Sequence, residues 1–133
     1  HGIKLSSEIG MTMPPLAGAG IKAMLSQLSE EKIADILQRV EMRKFTEKTI
    51  LDKERFKNEI LRVKKEGIAY DFEEYIEGMI GLSVPINTGS RNVQSAIWVV
   101  GLKSQLPGEK IEETASLLLS LGKEINTVNS QKV

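Results

Sequence analysis

The sequence predicts an α+β domain: helical segments first, then three strands, then a closing helix. Three observations carry this expectation. Before residue 67, apolar residues recur every three to four positions among charged ones, the spacing that sets one face of a helix. Between residues 67 and 102 they alternate with period two, as they do along a half-buried strand. After Pro107 the helical spacing returns. With 133 residues, 41% apolar and 27% charged, the chain is the size of one domain, taken here as residues 1–133.

Each element has its own local reason. Met11-Thr12-Met13-Pro14-Pro15 is expected to be extended, because each proline fixes φ and disfavours helix in the residue before it. Residues 16–26 are small and apolar and suit a short helix packed closely on something else, with Gly18 and Gly20 permitting backbone approach. Ser29 reads as an N-cap, Glu30 and Glu31 complement the dipole of the first turn, and Leu28 and Ile33 occupy hydrophobic-staple positions, so a second helix runs to about residue 40. Over residues 52–66, Phe56, Ile60 and Val63 form one stripe among charged residues, and Gly67 stands at the C′ position. Strands are expected at residues 67–72, 79–86 and 93–102. The polar stretch 87–92 between the last two suits an antiparallel hairpin with a long loop. Pro85 suggests an interrupted or edge position in its strand. Pro107 opens a helix with the stripe Ile111, Ala115, Leu118 and Ile125, expected to end near residue 126 with a frayed polar tail.

Composition narrows the chemistry. With no cysteine there is no disulfide framework and no thiolate metal site, and the cytoplasm is the expected compartment. The single histidine is His1, at a terminus, so neither histidine catalysis nor a histidine-rich metal site is expected. Eighteen basic residues balance eighteen acidic ones, so the field that draws proteins onto nucleic acid is missing. The longest apolar run, residues 96–100, falls far short of the ~20 residues needed to span a bilayer, and the N-terminus does not resemble a secretory signal. The densest acidic cluster is Asp71, Glu73 and Glu74; on an extended segment Asp71 and Glu73 share a face. No histidine or cysteine assists them, and no catalytic residue, metal or cofactor is assigned. Arg62, Lys64 and Lys65 alternate with glutamates and read as a solvated helix face.

The detailed residues go further. Ser6-Ser7-Glu8-Ile9-Gly10, Met13-Pro14 and residues 17–25 (Ala-Gly-Ala-Gly-Ile-Lys-Ala-Met-Leu) are followed by Phe45-Thr46-Glu47-Lys48-Thr49-Ile50. Then come Gly67-Ile68-Ala69-Tyr70-Asp71 with Glu73, Glu74 and Gly78, then Val84-Pro85-Ile86, and finally Gly101. In order and spacing across nearly the whole chain, these blocks resemble the effector-binding domain of IclR-type transcription regulators. The resemblance implies a GAF-like or profilin-like antiparallel sheet with flanking helices around a ligand cavity, attached in the intact regulator to an N-terminal winged helix-turn-helix that is not in this chain. It also implies an N-terminally shortened sensor, with the early strands of the sheet missing.

In that family a ligand carboxylate is typically held by backbone N–H groups where the helix after the proline begins, a site that maps onto Ala19 and Gly20. Unpaired amides and small side chains at a helix start are suited to this. The competing reading is that Gly18, Ala19 and Gly20 only allow close packing. The ligand-facing strand positions map onto Asp71, Met79, Gly81, Trp98 and Val100, joined from upstream by Leu5 and Met13. Period two independently puts Met79 with Gly81, and Trp98 with Val100, on single faces. The competing reading makes Met79 and Trp98 ordinary core and Asp71 a solvated or capping carboxylate. Trp98 and Val100 stand where many family members carry small hydroxyl residues, so a smaller, more apolar pocket is expected. Ile21 replaces a common glycine ahead of Lys22. The Ile21 departure counts against carboxylate capture at Ala19 and Gly20, while the apolar lining implies a small apolar or aromatic carboxylate as effector or, if Trp98 fills the cavity, an oligomerisation module that binds none. The resemblance further implies a homodimer or homotetramer that reaches DNA only through the upstream domain and has no membrane partner.

Overall fold

The computed structural model describes residues 16–89 and 94–130. In chain order these form α1 (Ala19–Leu25), α2 (Glu30–Arg39), α3 (Lys53–Glu66), β1 (Ala69–Phe72), β2 (Met79–Ile86), β3 (Ser95–Leu102) and α4 (Gly108–Ser130), with one 3₁₀ turn at Lys103–Gln105. The α+β expectation holds, and the segments start and stop for local reasons. The Ser29 hydroxyl accepts from the Lys32 N–H at 3.2 Å and the Asp52 carboxylate from the Glu54 N–H at 2.9 Å, each capping the start of its helix. Gly67 ends α3 with φ 81, its N–H donating to the Val63 carbonyl, as a left-handed cap does.

The strands form an antiparallel sheet of order β1-β2-β3. Asp71 pairs with Gly81 and Ala69 with Ser83, while Gly81 pairs with Val100 and Ser83 with Trp98. Alternation then divides the side chains between two faces. One face packs on α4, where Ile68, Ile80, Leu82, Val84 and Ile86 meet Ala115 and Leu118. The other carries Ala69, Asp71, Met79, Gly81, Ser83, Trp98 and Val100 and receives α1 and the end of α3, whose Ala19, Ala23 and Val63 pack with Ala69 and Trp98. A further cluster of Leu25, Ile33, Leu37, Phe56 and Ile60 joins α1, α2 and α3. Fully burying a side chain such as Ile33, Ile60 or Leu82 contributes about 1.5–3 kcal/mol relative to leaving it exposed. Among the described residues no helix is long and apolar enough to cross a membrane.

Several boundaries differ from expectation. The first helix begins at Ala19, not at residue 16, because Leu16 has φ 61 and Gly18 φ 94, values no α-helix contains. The first strand begins at Ala69, since Gly67 is committed to capping α3. Pro85 lies within the central strand, paired with Ala96. The proline is tolerated because β1 stops opposite Ser83, so beyond that point β2 has no second strand partner among the described residues. The last helix does not end near residue 126 but continues to Ser130. Its final turns are tied to the end of β2: the Asn126 side chain accepts from the Asn87 N–H at 2.6 Å, and the Asn129 amide donates to the Asn87 carbonyl. Leu5, Met13 and the start of the expected third strand at residue 93 lie outside the described residues.

Candidate functional site

On the sheet face covered by α1, the indole of Trp98 occupies the seam between helix and sheet. Three glycines border it. A Cβ added to Gly18 would lie 3.2 Å from Cζ2 of the indole, one on Gly20 3.0 Å from Cε3, and one on Gly81 2.7 Å from Nε1. The ring fits because these positions carry no side chain, which gives the Gly-Ala-Gly opening of α1 a packing reason. Ala19 between them is fully buried, and its methyl group also faces Gly81. Trp98 Nε1 is buried and has no hydrogen-bond partner, the one such side-chain atom identified among the described residues. A buried donor left unpaired costs about 1–3 kcal/mol.

Asp71 stands beside the same glycines, its Oδ2 3.8 Å from the Cβ position of Gly18 and its Cβ 3.5 Å from that of Gly81. It is 4% exposed. Its Oδ1 accepts from the Glu74 N–H at 2.7 Å, so this carboxyl caps the turn after β1 and also borders the indole slot. Burial pushes its pKa from 3.8 up to about 6, against the lowering influence of that hydrogen bond; the nearby Glu74 carboxylate raises it and Lys22 lowers it.

The structure therefore brings together Ala19, Gly20, Asp71, Gly81 and Trp98. Met79, 2% exposed, is on the same face farther along, paired with Leu102. Val100, 40% exposed, pairs with Gly81 at the rim. Ile21 packs into the cluster formed by α1, α2 and α3, so it is not what borders the indole. The expectation that Asp71 and Glu73 share a face does not hold. Glu73 has φ 62, which ends the extended run, and its carboxylate turns to Lys103 at 2.8 Å and Lys48 at 3.7 Å. The hydrogen bond from Lys103 holds the Glu73 carboxyl below its ordinary range. Among the described residues no cluster of histidine or carboxylate side chains is arranged to hold a metal.

Sequence reasoning missed the polar support around the slot. Lys22, 1% exposed, donates to the Tyr70 carbonyl at 2.8 Å and pairs with Glu74 at 2.8 Å and with Glu59 at 3.7 Å. It thereby fixes α1 to the edge of β1 and to α3. Thr46 and Thr49 donate to the carbonyls of Glu73 and Glu74 at 2.6 and 2.7 Å, while the Thr49 hydroxyl accepts from the N–H groups of Phe45 and Thr46. A lone lysine in a segment of small apolar residues was the available signal, because such a residue, once buried, must find charged partners. The basic cluster of α3 is solvent-facing as expected, with Arg62 paired to Glu66 at 3.1 Å.

An antiparallel sheet flanked by helices, with a polar-edged slot between α1 and the strands, describes a class of small α+β domains. Comparison with known proteins identifies the family. The sequence model described as "Bacterial transcriptional regulator IclR C-terminal" matches residues 1–127, and the chain belongs to that family. It is 28% identical over 125 residues to the transcriptional repressor IclR of Escherichia coli K12, covering 94% of this chain and 46% of the relative. It is 26% identical, with the same coverage, to the HTH-type transcriptional repressor AllR of Salmonella typhi. The crystal structure of the Thermotoga maritima IclR superposes with a TM-score of 0.84 at 27% identity, over 97% of this chain and 52% of that one. The chain thus spans about half the length of the curated relatives it matches.

Proposed function

We propose that this chain is the small-molecule-sensing domain of an IclR-type transcription regulator, coupling an effector to the DNA-binding activity of a winged helix-turn-helix upstream. One observation carries the reading: Ala19, Gly20, Asp71, Gly81 and Trp98 converge on one seam that ends in an unsatisfied donor and a buried carboxyl group. A seam walled by backbone and small side chains with a buried carboxyl group at its edge is the kind of mostly apolar, concave place that takes a small ligand. The effector is a small apolar or aromatic carboxylate, since a polyhydroxylated molecule against Met79 and Trp98 would strand its polar groups. Met79, Val100, Leu5 and Met13 complete the proposed lining. Binding shifts the population between two arrangements of a homodimer or homotetramer, which a ligand does only through unequal affinity for them. The role is regulatory and cytoplasmic, not enzymatic, in keeping with relatives named as repressors.

A thermal-shift screen with small aliphatic and aromatic carboxylates tests the reading. A true effector at ~100 times its Kd stabilises the chain by about 2.7 kcal/mol, and it is recovered unchanged after long incubation. Turnover of the ligand would move the protein into a different class. The second reading, an assembly module whose slot is permanently filled, is favoured by the close fit of the indole against three glycines. It predicts no shift with any carboxylate while the oligomer stays intact.

A further inference from the structure

We infer that Trp98 is a displaceable plug: its indole holds the effector slot in the ligand-free protein, and the slot takes planar aromatic molecules of similar footprint once the ring swings out. The inference rests on the sensing reading above and adds how the site is regulated. Mutual exclusion follows from the distances. With Cβ positions of Gly18, Gly20 and Gly81 only 3.2, 3.0 and 2.7 Å from ring atoms, no other heavy atom fits between α1 and β2 while the indole is present. The slot is as thin as one ring.

Departure of the ring is also physically accessible. Its N–H has no hydrogen bond to break and gains one from water on leaving. At Gly18, Gly20 and Gly81 the ring meets no side chain, and the cluster it packs against, Ala19, Ala23, Val63 and Ala69, offers only small ones. Trp98 belongs to β3, which has a strand neighbour only at β2 among the described residues. What remains behind is a slot with the Asp71 carboxyl group on one edge, so a bound aromatic molecule lies beside that buried group. Trp98 thus sets specificity: a ligand has to replace what the indole gave the slot.

Trp98 is the single tryptophan of the chain and reports on its own position. Benzoate and phenylacetate are titrated into the wild-type chain, with binding followed by calorimetry and indole emission followed in parallel. Displacement predicts a red shift and stronger acrylamide quenching that track saturation. Binding without any emission change overturns the plug and leaves the sensing reading standing. Absence of binding to the wild type overturns displacement itself. In a second arm, Trp98→Ala leaves a ring-shaped apolar space of the kind that takes up free aromatic molecules. Indole should then raise the Tm of Trp98→Ala, and raise that of the wild type less, because there the ring has first to be displaced. A folded Trp98→Ala chain indifferent to indole overturns the slot. Indole uptake by the variant together with no ligand uptake by the wild type instead identifies the filled assembly module. The emission arm needs no variant, so it decides the question even where Trp98→Ala does not fold.

Discussion

At Asp71, burial and hydrogen bonding act in opposite directions on one carboxyl group, and burial wins, raising the pKa from 3.8 to about 6. A folded-state pKa above the unfolded value means that the fold prefers the protonated form. The associated stability is fully present below pH 3.8 and is lost as pH rises through 6. Asp71→Asn keeps an oxygen for the Glu74 N–H and removes the charge. It should stabilise the chain at pH 7 by up to about 3 kcal/mol, and urea melts should show that gain vanishing near pH 4. The same seam makes Gly81 sensitive. A methyl group there meets Trp98 Nε1 at 2.7 Å, so Gly81→Ala is expected to cost about 1–3 kcal/mol by overpacking. That penalty should shrink when Trp98 is replaced by the smaller Phe, a non-additivity that a double-mutant cycle reads directly.

Elements are held in register by polar contacts at their ends. Lys22 ties α1 to Tyr70 of β1, to Glu74 in the turn beyond it and to Glu59 of α3. Lys22→Met leaves Glu74, 13% exposed, without its cation, so denaturant melts should show a loss of about 3–5 kcal/mol. Lys22→Met combined with Glu74→Gln should lose less than the two separate losses, because the stranded charge is gone. At the other end of the molecule, Asn126 holds the last turns of α4 against Asn87. Asn126→Ala should cost about 1 kcal/mol and raise amide exchange over residues 126–130 more than elsewhere in the helix.

At the scale of the whole molecule the formal net charge is zero, and the basic residues of α3 are interleaved with acids. The chain by itself is expected to show no DNA affinity at physiological salt beyond the non-specific range, roughly 10⁻⁴–10⁻⁶ M. Fluorescence anisotropy with labelled duplex checks this. Tight, salt-steep binding by this chain alone would contradict the assignment of DNA recognition to an upstream domain.

What could be read from the sequence was whatever nearest neighbours along the chain decide. The caps at Ser29 and Gly67 and the antiparallel pairing of β2 with β3 are set by side chains within a few residues of a helix end or a turn. The blocks that resemble the family lie in order along the chain, so they too were readable. Tertiary structure alone decided the partners of buried groups. Lys22 meets a carbonyl and a carboxylate 48 and 52 residues away, Asn126 reaches across 39 residues to extend α4 past its apolar stripe, and Glu73 leaves the strand for Lys103. The placement of the Trp98 indole belongs with these. Period two puts the residue on the right face, but only the approach of Gly18 and Gly20 from α1 against Gly81 from β2 makes a slot one ring thick. No local rule foresees that, because its three walls come from segments that meet only after the chain has folded.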